Sequence, residues 1–334
     1  MPVRRLVFVS DLHLDVRPVE AGRDAAAAFT EFLSAELLPD PGTGAGLVLL
    51  GDSFELLDAG DEAAAVARID QIAAAHPELF ARLGDCLRRG WRLEVIPGNH
   101  DMALALPRVQ RRLDTLLGPT DRMRVWPWLF RTPGLVYAEH GHQHHDLNRF
   151  PTVLAPYDRR RPERLFEPPL AAWRGGPRRL LRAVADSRRA ERTTAHAPYR
   201  ARLSEQAAQV GLPLDVVIRL HRLSRFRPQA TLARLARRRL RRVPPDSYLI
   251  AAARHIHEVL SAAGHPVPAY VFGHTHRARA EPLVDGAWYL NTGTWSADVR
   301  GDGPDRDDPD LFPYVELRAG AVPTVRYWRR PAVD

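Results

Sequence analysis

The 334-residue sequence contains no lysine, so arginine supplies all 48 of its basic side chains. It has one cysteine, Cys86, which excludes a disulfide within the chain and any zinc site built from several cysteines. No run of about 18 apolar residues occurs, and the short apolar stretch at residues 6–10 is too brief for the core of a signal peptide. These absences predict a soluble protein whose compartment is the cytoplasm.

Charge is unevenly distributed along the chain. Residues 147–245 contain 24 arginines and 7 acidic residues, whereas the remainder contains 24 arginines and 33 acidic residues. Segregation of this kind indicates a separate module. We therefore predict a core formed by residues 1–146 and 246–334, with residues 147–245 forming an arginine-rich helical insertion that caps it. The hydrophobic fraction of 45% is enough for a well-packed core.

The first hundred residues alternate between two kinds of segment. Apolar runs at residues 5–10, 47–50 and 93–96 predict buried strands, and segments at 24–37, 61–75 and 78–88 have helical periodicity. This alternation is typical of a layered α/β fold with parallel strand pairs. Two further strands are predicted at 135–138 and 269–272, and three more at 288–291, 312–317 and 322–328, which we expect to form an antiparallel edge.

Polar side chains follow five of the predicted strands. In sheets with parallel strands, ligands bind beyond the carboxyl ends of the strands, so we expect these side chains to meet. They are Asp11, His13, Asp52, Asn99, His140, His274 and His276. Oxygen and imidazole ligands without thiolate suit Mn²⁺, Fe or Zn²⁺ better than Mg²⁺ or Ca²⁺. Seven ligands are too many for one tetrahedral metal and about right for two divalent ions, for which manganese is our first choice, with iron or zinc as alternatives.

These residues lie in motifs that resemble the five ordered motifs of the calcineurin-like metallophosphoesterase superfamily. The motifs are Asp11-x-His13, Gly51-Asp52, Gly98-Asn99-His100-Asp101, His140 and Gly273-His274-x-His276. They cover positions 11 to 276 in the family's order and leave out the insertion. The resemblance implies an α/β (α+β layered sandwich) fold, in which two packed mixed β-sheets are flanked by helices.

The resemblance also implies a role for each motif residue. One metal would be held by Asp11, His13 and His276, the second by Asn99, His140 and His274, and Asp52 would bridge them. His100 would stabilise or protonate the leaving group, and Asp101 would orient His100.

His142 competes with His140 for the fourth motif. We prefer His140 because it follows its strand directly and precedes a glycine. His142 is then expected to contact the substrate or to support a metal ligand.

We therefore predict a dinuclear metal-dependent hydrolase of phosphoester or pyrophosphate bonds. A hydroxide bridging the metals would attack phosphorus in line, and His100 would assist departure of the leaving oxygen. The alternative is a non-catalytic scaffold that recruits anionic partners through its basic insertion, although the complete motif set argues against it. Expected substrates are phosphorylated small molecules, lipid-linked compounds or proteins. A helical insertion between the fourth and fifth motifs also resembles the layout of UDP-diacylglucosamine pyrophosphohydrolases.

The insertion contains the basic run Arg237–Arg242. A basic amphipathic helix can lie on an anionic membrane surface, so peripheral membrane contact is one expectation. The few aromatic residues of the insertion do not interleave with its arginines, which makes nucleic acid a less favoured partner.

Overall fold

The computed structural model describes residues 3–16, 24–57, 59–118, 121–145, 148–149, 197–224, 247–296 and 308–331. The strands are β1 (Arg5–Val9), β2 (Ala45–Leu50), β3 (Arg92–Ile96), β4 (Met123–Val125), β5 (Leu129–Thr132), β6 (Val136–Glu139), β7 (Ala269–Phe272), β8 (Ala278–Pro282), β9 (Trp288–Thr292), β10 (Leu311–Arg318) and β11 (Thr324–Arg329). The α-helices are α1 (Ala25–Phe32), α2 (Glu62–Ala75), α3 (Pro77–Arg89), α4 (Pro107–Leu117), α5 (Ala197–Val210), α6 (Leu214–Leu223) and α7 (Ser247–Ala262). A π-helical turn, Leu33–Leu37, extends α1, and 3₁₀ turns lie at Met102–Ala105 and His142–His144.

The strands form two mixed sheets, which confirms the predicted fold class. The first sheet has the order β11-β10-β1-β2-β3-β4, and the second has the order β5-β6-β7-β9-β8. In the first sheet β1 to β4 run parallel, while β10 and β11 pair antiparallel at one side. The predicted antiparallel edge is therefore confirmed for β10 and β11.

The prediction was wrong for β9, which lies inside the second sheet. It pairs parallel with β7 and antiparallel with β8. The edge position is taken by β8, a strand that the sequence interpretation did not include. Because β8 pairs back onto β9 antiparallel, the chain returns with β9 in the same direction as β7.

Local sequence explains where the predicted helices begin and end. The side chain of Asp24 accepts a hydrogen bond from the amide of Ala27, and that of Asp61 from the amide of Ala64, so α1 and α2 both start at an aspartate cap. Helix α3 begins with Pro77 and ends at Gly90, whose φ of 109° requires a residue without a side chain. The three predicted helices are confirmed within a few residues.

Strands β1 to β3 are buried on both faces. On β1, Val7 and Val9 pack against α1 to α4, whereas Leu6 and Phe8 contribute to a second core shared with the other sheet and with α5 to α7. This alternation follows from the two-residue period of a strand. It explains why these segments are continuously apolar.

Helices α5 and α6 belong to the predicted insertion, and they share the second core. Tyr199, Leu203 and Val217 are buried in the same cluster as Leu129 of β5. The guanidinium of Arg131 donates to the carbonyl oxygen of Val210, at the end of α5, at 3.1 Å. The described part of the insertion is thus packed onto the core sheet. The run at residues 237–242 lies outside the described residues, and the division at 147–245 stays a prediction.

Helix α7 is the longest described helix, with 16 residues. A span of the hydrocarbon core of a bilayer needs about 20 apolar residues. Of the helices in the described ranges, none has the length and apolar character needed to cross a membrane.

Candidate metal centre

The loops after five strands are joined by backbone hydrogen bonds at one edge of the two sheets. The amide of Asp11 donates to the carbonyl of Gly51, and that of His13 to the carbonyl of Asp52, both at 3.0 Å. The amide of Gly273 donates to the carbonyl of His140 at 3.1 Å. The structure therefore brings the strand ends of both sheets to a common place, as the position of these residues after the strands predicted.

Backbone strain is concentrated at this edge. Within the described ranges, six residues other than glycine have positive φ, and five of them are predicted metal ligands. Those five are Asp11 (54°), His13 (49°), Asp52 (50°), His274 (69°) and His276 (59°). Such a conformation is disfavoured by about 1–3 kcal/mol per residue and clusters at functional sites. The fold therefore holds these side chains in place at a conformational cost.

Glycines allow the loops to approach closely. A Cβ atom added to Gly98 would lie 2.1 Å from Oδ1 of Asp52. At Gly51, where φ is 87°, a Cβ atom would lie 2.4 Å from the ring of His140. Since real contacts are never this short, the glycines of the second and third motifs are needed to place Asp52 and His140.

The first group of ligand atoms comes from Asp11, His13 and His276. Nε2 of His276 lies 3.0 Å from Oδ1 of Asp11, and Nε2 of His13 lies 3.4 Å from Nε2 of His276. One ligand atom from each of these three side chains lies within 4.8 Å of the other two. They are the residues expected to hold one metal.

The second group comes from Asp52, His140 and His274. Nε2 of His140 lies 3.1 Å from Oδ2 of Asp52, and the three side chains form a second possible ligand set. Nδ1 of His140 donates to the carbonyl oxygen of Leu50 at 2.8 Å, which directs Nε2 toward the centre as metal-binding histidines require. The amide nitrogen of Asn148, at the start of the insertion, lies 3.3 Å from Nε2 of His274.

Three buried atoms at the centre fit a cation. Oδ1 of Asp11, Oδ1 of Asn99 and Nε2 of His140 are buried and make no hydrogen bond of regular geometry, although the first and third of these atoms contact His276 and Asp52. Buried polar atoms are normally satisfied, and oxygen together with imidazole nitrogen is a donor set suited to Mn²⁺, Fe or Zn²⁺. The residues present therefore fit two divalent metal ions, with Asp52 next to ligands of both groups.

The electrostatics of the two groups also favour cations. Burial lowers the pKa of His13, but the hydrogen bond to Glu55 and the charges of Asp52 and Asp11 outweigh it and raise the pKa to about 9. Burial also lowers the pKa of His140, but the charges of Asp52 and Asp11 outweigh this effect and raise the pKa to about 10. Burial and the neighbouring His140 hold the pKa of His274 well below its usual range.

Metal binding at this centre is expected to release protons. At pH 7.5 the metal-free protein carries His13 and His140 protonated, and both must lose the Nε2 proton to become ligands, so Mn²⁺ should displace about two protons per chain. The number should fall as the pH rises through 9 to 10. Calorimetric titration in buffers of different ionisation enthalpy measures it. An apparent binding enthalpy that does not depend on the buffer would contradict this prediction.

We had expected Asp101 to orient His100, but its carboxylate makes other contacts. Its carboxylate accepts hydrogen bonds from the amides of Gly98 (2.6 Å) and Ser53 (2.7 Å) and so joins the second and third motif loops. Burial and the charge of Asp52 raise the pKa of Asp101 to about 6. Its predicted catalytic role changes accordingly to that of holding Asp52 and Asn99 in position.

The orienting carboxylate is Glu55, which the sequence interpretation missed. Its Oε1 atom lies 2.6 Å from Nδ1 of His100 and 2.7 Å from Nδ1 of His13. Burial raises the pKa of Glu55, but the two histidines outweigh this and lower it to about 2. The available signal was its position three residues after Asp52, which alone indicates no contact.

His142 stands beside the second group. Its ring centroid lies 5.5 Å from that of His140 and 6.3 Å from that of His274. Gln143 donates from Nε2 to Nε2 of His142 at 3.1 Å, and burial lowers the pKa of His142 well below its usual range. A neutral ring at this distance fits a supporting or substrate-contacting residue, and that role stays a prediction.

The end of β9 and the residues that follow it support the ligand loops. Thr294 donates its hydroxyl to the carbonyl oxygen of Asp11 at 3.0 Å. Asn291 donates to the carbonyl oxygen of Gly273 at 2.8 Å. The two side chains thereby fix the first and fifth motifs relative to each other.

Comparison with known proteins identifies the family. A family model described as calcineurin-like phosphoesterase matches residues 4–278. Among curated protein sequences, none matches the chain. Solved structures that resemble it include a predicted phosphoesterase from Streptococcus pneumoniae TIGR4 (10% identity, 99% of each chain, TM-score 0.31) and a dimetal phosphatase from Danio rerio (15% identity, 95% of this chain and 93% of that one, TM-score 0.39).

A third similar structure is that of a phosphopantetheinyl hydrolase from Mycobacterium tuberculosis, which has 16% sequence identity and a TM-score of 0.32. The match covers 88% of this chain and 91% of that one. The family model spans all five motifs, and the structure places their side chains together at one edge of the sheets. The chain belongs to the calcineurin-like phosphoesterase family, whose members bind two divalent metal ions, and it is a metal-dependent phosphoester hydrolase.

Proposed function

We propose that the protein hydrolyses phosphoester or pyrophosphate bonds at two adjacent divalent metal ions, with His100 assisting the leaving group. The observation that carries this proposal is the presence of two neighbouring ligand groups, with Asp52 a member of the second and its charge acting on His13 of the first. Asp11, His13 and His276 would hold one ion, and Asn99, His140 and His274 the other, with Asp52 shared. Manganese is the proposed metal, with iron or zinc as alternatives.

Two ions held in this way supply Lewis acidity and lower the pKa of water enough to provide hydroxide at neutral pH. The protein contributes the placement of the substrate. Asp101 ties the backbone of the second motif to that of the third, and it thereby helps to hold Asp52 and Asn99 in position relative to each other. A phosphoryl group bound between the two ligand groups is thereby presented in a fixed orientation.

His100 is suited to protonate the leaving oxygen. Its side chain is 30% exposed, so a substrate can reach it. Burial lowers its pKa, but the hydrogen bond to Glu55 and the charge of Asp52 outweigh this and raise it, so the ring keeps its proton to a higher pH than a free imidazole does. With Nδ1 engaged by Glu55, Nε2 is the atom that can give its proton to the departing alkoxide.

The substrate classes that we propose are phosphorylated small molecules, lipid-linked phosphates and phosphoproteins. A cytoplasmic protein with peripheral contact to an anionic membrane through the arginine-rich insertion would suit the lipid-linked class. Nucleic acid is less favoured. The positive charge of the insertion supports an anionic partner, which an anionic membrane and nucleic acid both are.

Metal analysis followed by a substrate panel tests the proposal. We expect about two divalent ions per chain, loss of activity with a chelator, and recovery with Mn²⁺. Phosphomonoesters, phosphodiesters and pyrophosphates are then compared in the Mn²⁺-loaded protein. Full metal occupancy without turnover of any of them would contradict the proposal and favour the scaffold alternative.

A further inference from the structure

A small cavity adjoins the second ligand group. It lies where the loop after β3 meets the end of β6, and its walls include Pro97, Met102, Pro127, Trp128, His140 and Gln143. The centre of a water molecule can occupy a volume of about 10 Å³ inside it. A space of that size admits one oxygen atom with its hydrogen and no phosphoryl group.

Besides the predicted metal ligand His140, the wall contains an amide oxygen without a hydrogen-bond partner. Gln143 is 2% exposed, and its Nε2 atom donates to His142, while its Oε1 atom is buried with no hydrogen-bond partner. Glu139 also lines the cavity, but its two oxygens receive hydrogen bonds from Trp128 (2.7 Å) and from His144 (2.6 Å). The cavity therefore offers one vacant acceptor, on the amide of Gln143.

This wall chemistry selects the occupant. An unpaired acceptor takes a hydrogen-bond donor, and the space is too small for a phosphoryl group. The arrangement fits a neutral hydroxyl carried on a short carbon chain.

We propose that this cavity is a substrate subsite, in which Oε1 of Gln143 accepts a hydrogen bond from a hydroxyl of the esterified alcohol. The inference rests on the proposed function, because the subsite adjoins His140 and so lies beside the place of the phosphoryl group. It specifies that function further, to esters of hydroxylated alcohols. A site built to bind a hydroxyl rejects the analogue without it, because the buried acceptor then stays unpaired.

The test compares esters that differ by one hydroxyl. The Mn²⁺-loaded protein is assayed with ω-hydroxyalkyl phosphates of two to four carbons, each against its alkyl counterpart, as monoesters and as diesters. We expect kcat/KM to favour at least one hydroxyalkyl ester by about tenfold or more. In Gln143→Met, which keeps the side-chain volume and removes the acceptor, this ratio should fall to within about twofold of unity.

Gln206→Met is the matched control. Gln206 is also buried and its Oε1 atom also lacks a partner, but it lies on α5 and does not line the cavity. Its substitution should leave the hydroxyl preference unchanged. Metal content and thermal unfolding establish that both variants are folded. Should Gln143→Met not fold, Gln143→Glu, which keeps an acceptor there, is expected to retain the preference.

The outcomes separate the two proposals. A wild-type protein that cleaves no phosphoester contradicts the proposed function itself. A wild-type protein that cleaves esters without a hydroxyl preference contradicts the subsite alone and makes the cavity the place of a resident water. A preference that survives in Gln143→Met also overturns the subsite.

Discussion

Asp52→Asn is expected to lower phosphoester turnover by at least about 10³-fold, which corresponds to about 4 kcal/mol of transition-state stabilisation. Asp52 is fully buried, and its Oδ2 atom lies 3.1 Å from Nε2 of His140. Its Oδ1 atom accepts a hydrogen bond from the amide of His100 at 2.8 Å. Asparagine keeps that acceptor and tolerates a positive φ, so the loop should fold. What it removes is the shared negative charge.

The metal content of this variant should fall together with its activity. A neutral amide at position 52 supplies less attraction to two cations than a carboxylate does. Metal analysis after gel filtration and steady-state turnover at increasing Mn²⁺ concentration measure both effects. Asp70→Asn is the matched control, because Asp70 pairs with Arg112 on the surface. It should retain both metals and full activity, and an Asp52→Asn protein that does the same would contradict the assignment.

The unfolding of the metal-free proteins gives a second measurement. The charge of His140 outweighs burial and holds the pKa of Asp52 well below its ordinary 3.8, so its stabilising effect is lost only in acid. The pKa of His140 is raised from 6.5 to about 10, so its contribution is complete below 6.5 and disappears as the pH rises to 10. The loss of stability caused by Asp52→Asn should therefore be largest near pH 5 to 6 and shrink toward pH 10.

The meeting of the ligand loops could be predicted because it depends on strand direction. Strands β1 to β3 are parallel, so residues that follow them must lie at one edge, and their uninterrupted apolar sequences reveal that they are central. Asp11, Asp52 and Asn99 needed no further information. Histidines after β6 and β7 reach the same edge because the two sheets pack with those ends together.

Glu55 could not be predicted in the same way. Its contact with His13 depends on a short parallel bridge between Leu14 and Phe54, where the amide of Glu55 donates to the carbonyl of Leu14 at 2.9 Å. That bridge forms after the chain has turned through positive φ at both Asp52 and His13. No periodicity in the sequence reports such a turn, so Asp101, the carboxylate next to His100, was the wrong choice.

The insertion shows a different limit. The apolar residues of α5 and α6 recur at helical spacing, which predicts helices but not the surface that they cover. The structure packs Leu203 and Val217 onto the second sheet, and Arg131 of β5 binds the end of α5. An apolar helical face looks the same in sequence whether it caps a site or completes a core.

Glu55→Gln is expected to lower kcat by about 10–100-fold at saturating Mn²⁺, the range found for carboxylates that orient a functional histidine. The carboxylate is 26% exposed, and one of its oxygens contacts both His100 and His13. Glutamine keeps the shape and removes the charge. The substitution should therefore change the protonation of His100 and leave the fold intact.

The pH dependence of kcat distinguishes this role from a structural one. The hydrogen bond to Glu55 helps to raise the pKa of His100, and a general acid loses its proton as the pH rises through its pKa. Without the charge of Glu55, the alkaline fall in kcat should begin at lower pH. The loss should be larger for alkyl esters than for p-nitrophenyl esters, because a good leaving group needs little protonation. Glu78→Gln, at an exposed helix position, should change neither property.

A double-mutant cycle with His100→Asn decides whether Glu55 works through His100 or through His13. Residues that act as a unit are not additive, so Glu55→Gln should cost little further activity in a His100→Asn protein. If the two losses instead multiply, and the single variant also binds Mn²⁺ more weakly, Glu55 serves the metal ligand His13. If the pH profile does not shift and the two effects are fully additive, Glu55 does not orient His100. The assignment of His100 as the general acid would then also be contradicted.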